Sequence, residues 1–138
     1  MKKYKLSLLL VCFLTANILL TACNEDTNNG QDTEAPAISI SSPTATETYV
    51  SGDTLQITAL ITDNDQLHDL GATLTRTHND ETVEVWTYSN HSHGNTYNMR
   101  ETYVIEVPGM HNDFELTIWA DDHNGNMGSK TVSFHVME

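Results

Sequence analysis

From residue 37 onward the apolar side chains of this chain recur at every second position, and that period leaves few folds open. Leu55, Ile57, Ala59 and Ile61 alternate with polar residues, as do Phe114, Leu116, Ile118 and Ala120, and Val132, Phe134 and Val136. A spacing of two places such residues on one face of a strand, because successive side chains of a pleated backbone point to opposite sides. Shorter runs repeat the pattern: Ile38 and Ile40; Leu70, Ala72 and Leu74; Tyr103, Ile105 and Val107. Around residue 85 the alternation puts Val83 and Val85 on one face and Trp86 and Tyr88 on the other. No stretch holds a helical period for more than a turn.

Turn-forming clusters separate these runs: Gly52-Asp53, Asp63-Asn64-Asp65, His78-Asn79-Asp80, residues 89–95, residues 109–113 and Asn124-Gly125-Asn126. About seven short strands at this spacing, in roughly 100 residues, predict an all-β fold, an immunoglobulin-like β-sandwich. No internal repeat is visible, so residues 37–138 read as one domain.

The segment before it has a different character. Lys2, Lys3 and Lys5 precede an apolar run over residues 6–20, which ends in Leu20-Thr21-Ala22-Cys23. This is the three-part layout of a secretory signal, and its end resembles the lipobox of bacterial lipoproteins. That reading makes residues 1–22 a cleaved signal peptide and Cys23 a lipidated N-terminus. The alternative, a transmembrane helix, wants roughly 20 apolar residues, and this run is shorter and interrupted by Asn17. Residues 23–36 then contain the lipidated Cys and a stretch with no large apolar side chain, which reads as a flexible acidic tether. Glu25-Asp26 resembles the acidic export signals of surface lipoproteins in Bacteroidetes. The expected location is the bacterial outer membrane, held by the lipid anchor, on its periplasmic or its exposed face.

Cysteine use fits that reading. Cys12 falls in the signal and Cys23 takes the lipid, so the domain keeps no thiol for a disulfide, a nucleophile or a metal. Six basic residues, less the three in the signal, leave Arg76, Arg100 and Lys130 against nineteen acids, a formal charge of −16. Such a surface repels phosphate backbones, which excludes nucleic acid as a partner. It favours cations or basic partners.

The acidic, proline-containing approach at residues 32–40 is followed by Ser42-Pro43, Gly52-Asp53, Leu55-Gln56-Ile57 and Asp63-Asn64-Asp65-Gln66-Leu67. A histidine-containing middle and Ala120-Asp121-Asp122-His123-Asn124-Gly125-Asn126 complete the set. Together they resemble the DUF4625 family of Bacteroidetes lipoproteins over roughly residues 32–137. The resemblance implies the fold, the location and histidines clustered in the middle of the domain. It implies no activity.

Seven histidines are many for a chain of this length. If strands alternate up and down, successive loops fall at opposite ends of the sandwich. That parity gathers His68, His91, His93 and His123 at one pole, with Asp63, Asp65, Asp121 and Asp122 beside them. His78 and His111 fall together at the other pole. In extended backbone His91 and His93 point the same way, about 6.5–7 Å apart, so two imidazoles can converge on one ion. A third ligand from His123, His68 or a carboxylate would complete a site for Zn²⁺ or Cu²⁺. The Asp63-Asn64-Asp65 and Asp121-Asp122 sets alternatively suit Ca²⁺, although neither has EF-hand spacing. His78 with His111 is a second possible metal pair.

No nucleophile elbow and no H-E-x-x-H pattern is present, so the chain reads as a non-enzyme. Two partner classes follow: a metal ion, with an outer-membrane uptake partner to receive it, or protein or glycan in a structural or adhesive role without metal. Trp86, Tyr88, Tyr97, Tyr103 and Trp119 are the aromatics available to a sugar platform. Trp119 and His135 both alternate outward from the core-facing residues of their strands.

Overall fold

The computed structural model describes residues 30–138. The expected signal peptide, Cys23 and the first part of the expected tether lie outside the described residues. Eight strands form: β1 (Ala37–Ser42), β2 (Thr48–Val50), β3 (Thr54–Thr62), β4 (Leu67–His78), β5 (Glu81–His91), β6 (Thr96–Val104), β7 (Asn112–Asp122) and β8 (Met127–Met137). They make two sheets, one in the order β1-β3-β6 and one in the order β2-β8-β7-β4-β5. All pairings are antiparallel except β2 with β8. Two such sheets face to face, with these strand neighbours, make an immunoglobulin-like β-sandwich.

The alternation seen in sequence becomes the core. β3 is exposed and buried by turns, and Leu55, Ile57 and Ile61 are wholly buried. β7 does the same with Phe114, Leu116, Ile118 and Ala120. Phe114 lies against Phe134 of β8 with ring centroids 5.5 Å apart, and Tyr49 of β2 meets Phe134 edge-on at 5.2 Å. Offset and edge-on rings at such separations favour the quadrupole as well as burying area.

Four features differ from the expectation. β2 has only three residues, too few to show a period. β6 begins at Thr96 and ends at Val104, so of the expected Tyr103–Ile105–Val107 run only Tyr103 lies in the strand. Ile105 is still buried, because its backbone pairs with Gly52 and Asp53 beyond the strand end.

In β5 a bulge changes the facing. Trp86 pairs with Leu74 and Glu84 with Thr75, which leaves Val85 as the extra residue. Val85, Trp86 and Tyr88 therefore all pack against the core, where the strict alternation had put Val85 opposite the two aromatics.

Part of the expected tether, finally, is packed. Pro36 is buried, and the N–H groups of Glu34 and the amide of Asn64 donate to Asp32 Oδ1, each at 3.0 Å. The compact unit begins at Asp32.

Candidate metal centre

A second bulge builds the histidine pole. Leu67 pairs with Asp122 and Leu70 with Ala120, so two residues of β4 stand opposite one residue of β7, Asp121. Both leucines stay in the core. The extra residue lets His68 and Asp69 both leave on the outer side, where strict alternation would send one inward. The surplus backbone N–H, that of Asp69, donates to Asp121 Oδ1 at 2.7 Å.

His91 ends β5 directly opposite Asp69. His93 follows in the β5–β6 turn, and His123 opens the β7–β8 turn. Gln66 holds these last two loops together: its side-chain amide donates to the His93 carbonyl, and its own carbonyl accepts from the His123 N–H at 3.1 Å. The Ser92 N–H donates to the His68 carbonyl at 2.8 Å.

The four imidazoles that sequence parity gathers do meet. Ring centroids are 4.6 Å apart for His68 and His91, 4.7 Å for His68 and His123, and 4.5 Å for His91 and His93. His91 Nε2 and His93 Nε2 approach to 3.2 Å, and His93 Nδ1 and His123 Nε2 to 3.4 Å. For metal–nitrogen bonds of about 2.0–2.1 Å, a tetrahedral edge is about 3.3 Å, so both gaps match ligand spacing. His93 offers opposite ring edges to its two neighbours. One ion therefore takes either the His91–His93 pair or the His93–His123 pair, unless a ring turns.

His68, Asp69 and His91 form a mixed set, each offering an atom within 4.8 Å of the others. Asp69 Oδ1 lies 2.7 Å from His91 Nδ1, while Asp69 Oδ2 is 3.6 Å and Asp121 Oδ1 3.9 Å from His68 Nδ1. The hydrogen bond from His91 holds the Asp69 carboxyl below its ordinary range. It also assigns the His91 proton to Nδ1 and leaves the Nε2 lone pair free for a metal, the usual carboxylate–histidine arrangement. About half of the His91 and Asp69 side chains is exposed, so an ion can enter and exchange.

Asp69 was not among the residues singled out from sequence. Its position inside a predicted strand hid it, because the bulge that turns it outward leaves no mark in the alternation.

The expected carboxylates divide. Asp121 reaches the histidines. Asp63, Asp65 and Asp122 belong to a neighbouring turn network instead. Asp122 is 2 % exposed, and it accepts from the N–H groups of Asn124 and Asn126 at 2.8 Å and from the Asn126 amide at 2.7 Å. Burial pushes its carboxyl up, but these donors outweigh burial and hold it below the usual range. Asp65 accepts from the Asn124 amide at 3.1 Å.

At the other pole His78 Nδ1 lies 3.3 Å from the backbone carbonyl of His111. That contact uses the nitrogen as a donor and joins ring to backbone. His135 makes an exposed pair with Asp113 on the outer face.

Nor do the aromatics form one platform. Trp86, Tyr88, Tyr97 and Tyr103 pack against the core. Trp119 alone lies on the outer face of its sheet, over Gly71, where any Cβ would stand 2.7 Å from its ring.

The profile of the family described as Domain of unknown function (DUF4625) matches residues 21–137. The chain belongs to the DUF4625 family. A comparison with curated proteins gives no match. Among solved structures, this DUF4625 chain is similar to the sporulation control protein Spo0M of Bacillus subtilis, with a TM-score of 0.49 at 11% identity over 75% of this chain and 49% of that one. It is similar to murine CRIg, with a TM-score of 0.45 at 10% identity over 75% and 98% of the two chains. Fibronectin(III)-like modules of Clostridium thermocellum CbhA give 0.42 at 15% identity, over 75% and 46%. The DUF4625 chain thus spans about half the length of the Spo0M chain.

Proposed function

We propose that this DUF4625 domain is a non-catalytic, lipid-anchored module of the bacterial outer membrane that binds a divalent transition metal at its histidine pole. Capture of the ion, with hand-off to an uptake partner in the same membrane, is the role this chemistry suits. The observation that carries the reading is the convergence of four imidazoles from three stretches of chain far apart in sequence. His68 comes from the β4 bulge, His91 from the end of β5, His93 from the next turn and His123 from the β7–β8 turn, with ring centroids as close as 4.5 Å.

Chance exposure of surface histidines would scatter them. Nitrogen donors with one or two carboxylates suit Zn²⁺ or Cu²⁺ over hard cations. The excess of acids over bases draws cations toward the pole at low ionic strength. The lipid on Cys23, read from the sequence, would hold the site beside a membrane partner.

Titration of the full chain with Zn²⁺ and with Cu²⁺ tests the reading, alongside the His91→Ala/His93→Ala variant. Saturable binding with about one ion per chain, weakened at least tenfold in the variant, is the expected result. Equal affinity in parent and variant would falsify this placement of the site.

A further inference from the structure

A second cluster lies in the same end of the sandwich and has different chemistry. Asp32 in the segment leading to β1, Asp63 after β3 and Asp122 at the end of β7 each place a carboxylate oxygen within 4.8 Å of the other two. In the same carboxylates, Asp32 Oδ2 and Asp63 Oδ1 are sealed from solvent and have no hydrogen-bond partner among the described residues. Asp122 itself is 2 % exposed. None of Arg76, Arg100 and Lys130 forms an ion pair with these acids among the described residues.

A carboxylate oxygen shut away from water without a donor is strongly unfavourable, and three like charges at this separation add to the cost. Something positive must answer both.

The partner oxygens are fixed. Asp32 Oδ1 accepts from Glu34 and Asn64, Asp63 Oδ2 accepts from the Asp65 N–H, and both Asp122 oxygens accept from the Asn124–Asn126 turn. These bonds occupy the other oxygens of Asp32 and Asp63 and leave Asp32 Oδ2 and Asp63 Oδ1 without a donor.

The geometry points to a Ca²⁺ site made by Asp32, Asp63 and Asp122, separate from the histidine pole. The donors are all oxygen, which selects a hard cation over Zn²⁺ or Cu²⁺. Calcium–oxygen bonds of about 2.3–2.6 Å span oxygen pairs up to about 5 Å apart, the range seen here. Mg²⁺ needs closer, octahedral ligands and keeps its waters.

Only part of the calcium set suggested by sequence takes part: Asp63 and Asp122 remain, Asp65 and Asp121 face elsewhere, and Asp32 joins from outside the predicted domain. The ion would bind the N-terminal segment to two loops far along the chain. Asn126 already spans that gap, donating to the Asp32 carbonyl at 3.0 Å across 94 residues.

The test is thermal unfolding of the full chain in detergent, stripped with EGTA and then supplied with Ca²⁺, or with Mg²⁺ at equal ionic strength. Extracellular calcium modules have dissociation constants of about 10⁻⁴–10⁻³ M, so about 10 mM Ca²⁺ suffices. The parent should gain roughly 5 °C or more with Ca²⁺ and much less with Mg²⁺. Asp63→Asn and Asp32→Asn remove one like charge each. In EGTA both should melt at or above the parent, and neither should respond to Ca²⁺.

A parent that Ca²⁺ leaves unmoved overturns the proposal. So does an equal response to Mg²⁺, or a Ca²⁺ response kept by both variants. The His91→Ala/His93→Ala variant should keep its full Ca²⁺ response, which separates this site from the transition-metal reading.

Discussion

Asp69 and His91 face each other across the β4–β5 ladder, with Asp69 Oδ1 2.7 Å from His91 Nδ1. The carboxylate fixes which edge of the imidazole is free, although it came to the surface only through a bulge. Such an outer partner raises the basicity of its histidine and restricts its rotation, and losing it commonly costs 10–100-fold in metal affinity. Asp69→Ala is therefore expected to weaken Zn²⁺ binding by about that factor while leaving the thermal midpoint of the metal-free protein within a few degrees. Competition against a chromophoric chelator reads the first quantity, and circular dichroism the second. An affinity equal to the parent's would remove Asp69 from the site.

Acid stability should report on Asp122. Its carboxyl is held below the ordinary value of 3.8 in the folded state, so the unfolded chain binds the proton more readily. The stabilisation it provides is complete above about pH 4–5 and disappears as pH falls through the lower folded value. Asp69 is shifted the same way and contributes to the same limb. Asp122→Asn should therefore cost stability at neutral pH, yet the gap between parent and variant should narrow as pH drops from about 5 toward 2. Urea unfolding at a series of pH values, in EGTA, measures this. A gap that widens on acidification contradicts the assignment.

Gly71 has no room for a side chain. A Cβ there would meet the Trp119 ring and the Tyr88 carbonyl, each at 2.7 Å. Gly71→Ala must push the indole off the sheet or distort β5, and overpacking of this kind costs about 1–3 kcal/mol. The expected signature is a lower midpoint together with a change in tryptophan fluorescence. An unchanged emission spectrum and midpoint would mean that the indole does not lie over Gly71.

Gly128 makes a matching prediction for the leading segment. A Cβ at this position would stand 2.1 Å from the Pro36 carbonyl oxygen, which is rigid backbone. Gly128→Ala should detach residues 32–36 from β8. Amide exchange at Glu34 should then accelerate by tenfold or more, while amides in the middle of β3 remain protected. If Glu34 exchanges at the parent's rate, the segment is held by other contacts.

Much of this arrangement was legible from the spacing of side chains. The period-two runs of β3 and β7 mark strands because each has one face in the core, and β8 shows the same period over Val132, Phe134 and Val136. Loop parity placed His68, His91, His93 and His123 together because an up-and-down sandwich returns alternate loops to one end.

What parity missed has a physical cause in each case. Val85 and the His68–Asp69 pair are bulge residues, and an inserted residue shifts every later side chain to the other face without changing composition. β6 buries only Met99 fully, and Glu101 interrupts the face it shares with Tyr97 and Tyr103, so the strand carries little apolar period. Asp32 looked like linker because it has no apolar neighbour to bury, and what fixes it is hydrogen bonding to Asn64 and Asn126.

The Asn126 amide has a mechanical consequence. It donates at once to the Asp32 carbonyl and to Asp122 Oδ2, tying the start of the domain to the turn between its last two strands. A pull applied to the N-terminal end of the chain reaches this link before it reaches β1. Force is thereby delivered to the five-stranded sheet, through β7 and β8, before it can peel β1 from the edge of its three-stranded partner. Under load the links of Asp32 to Asn126 and Asn64 would act as a latch that yields first, with the sandwich behind it still intact.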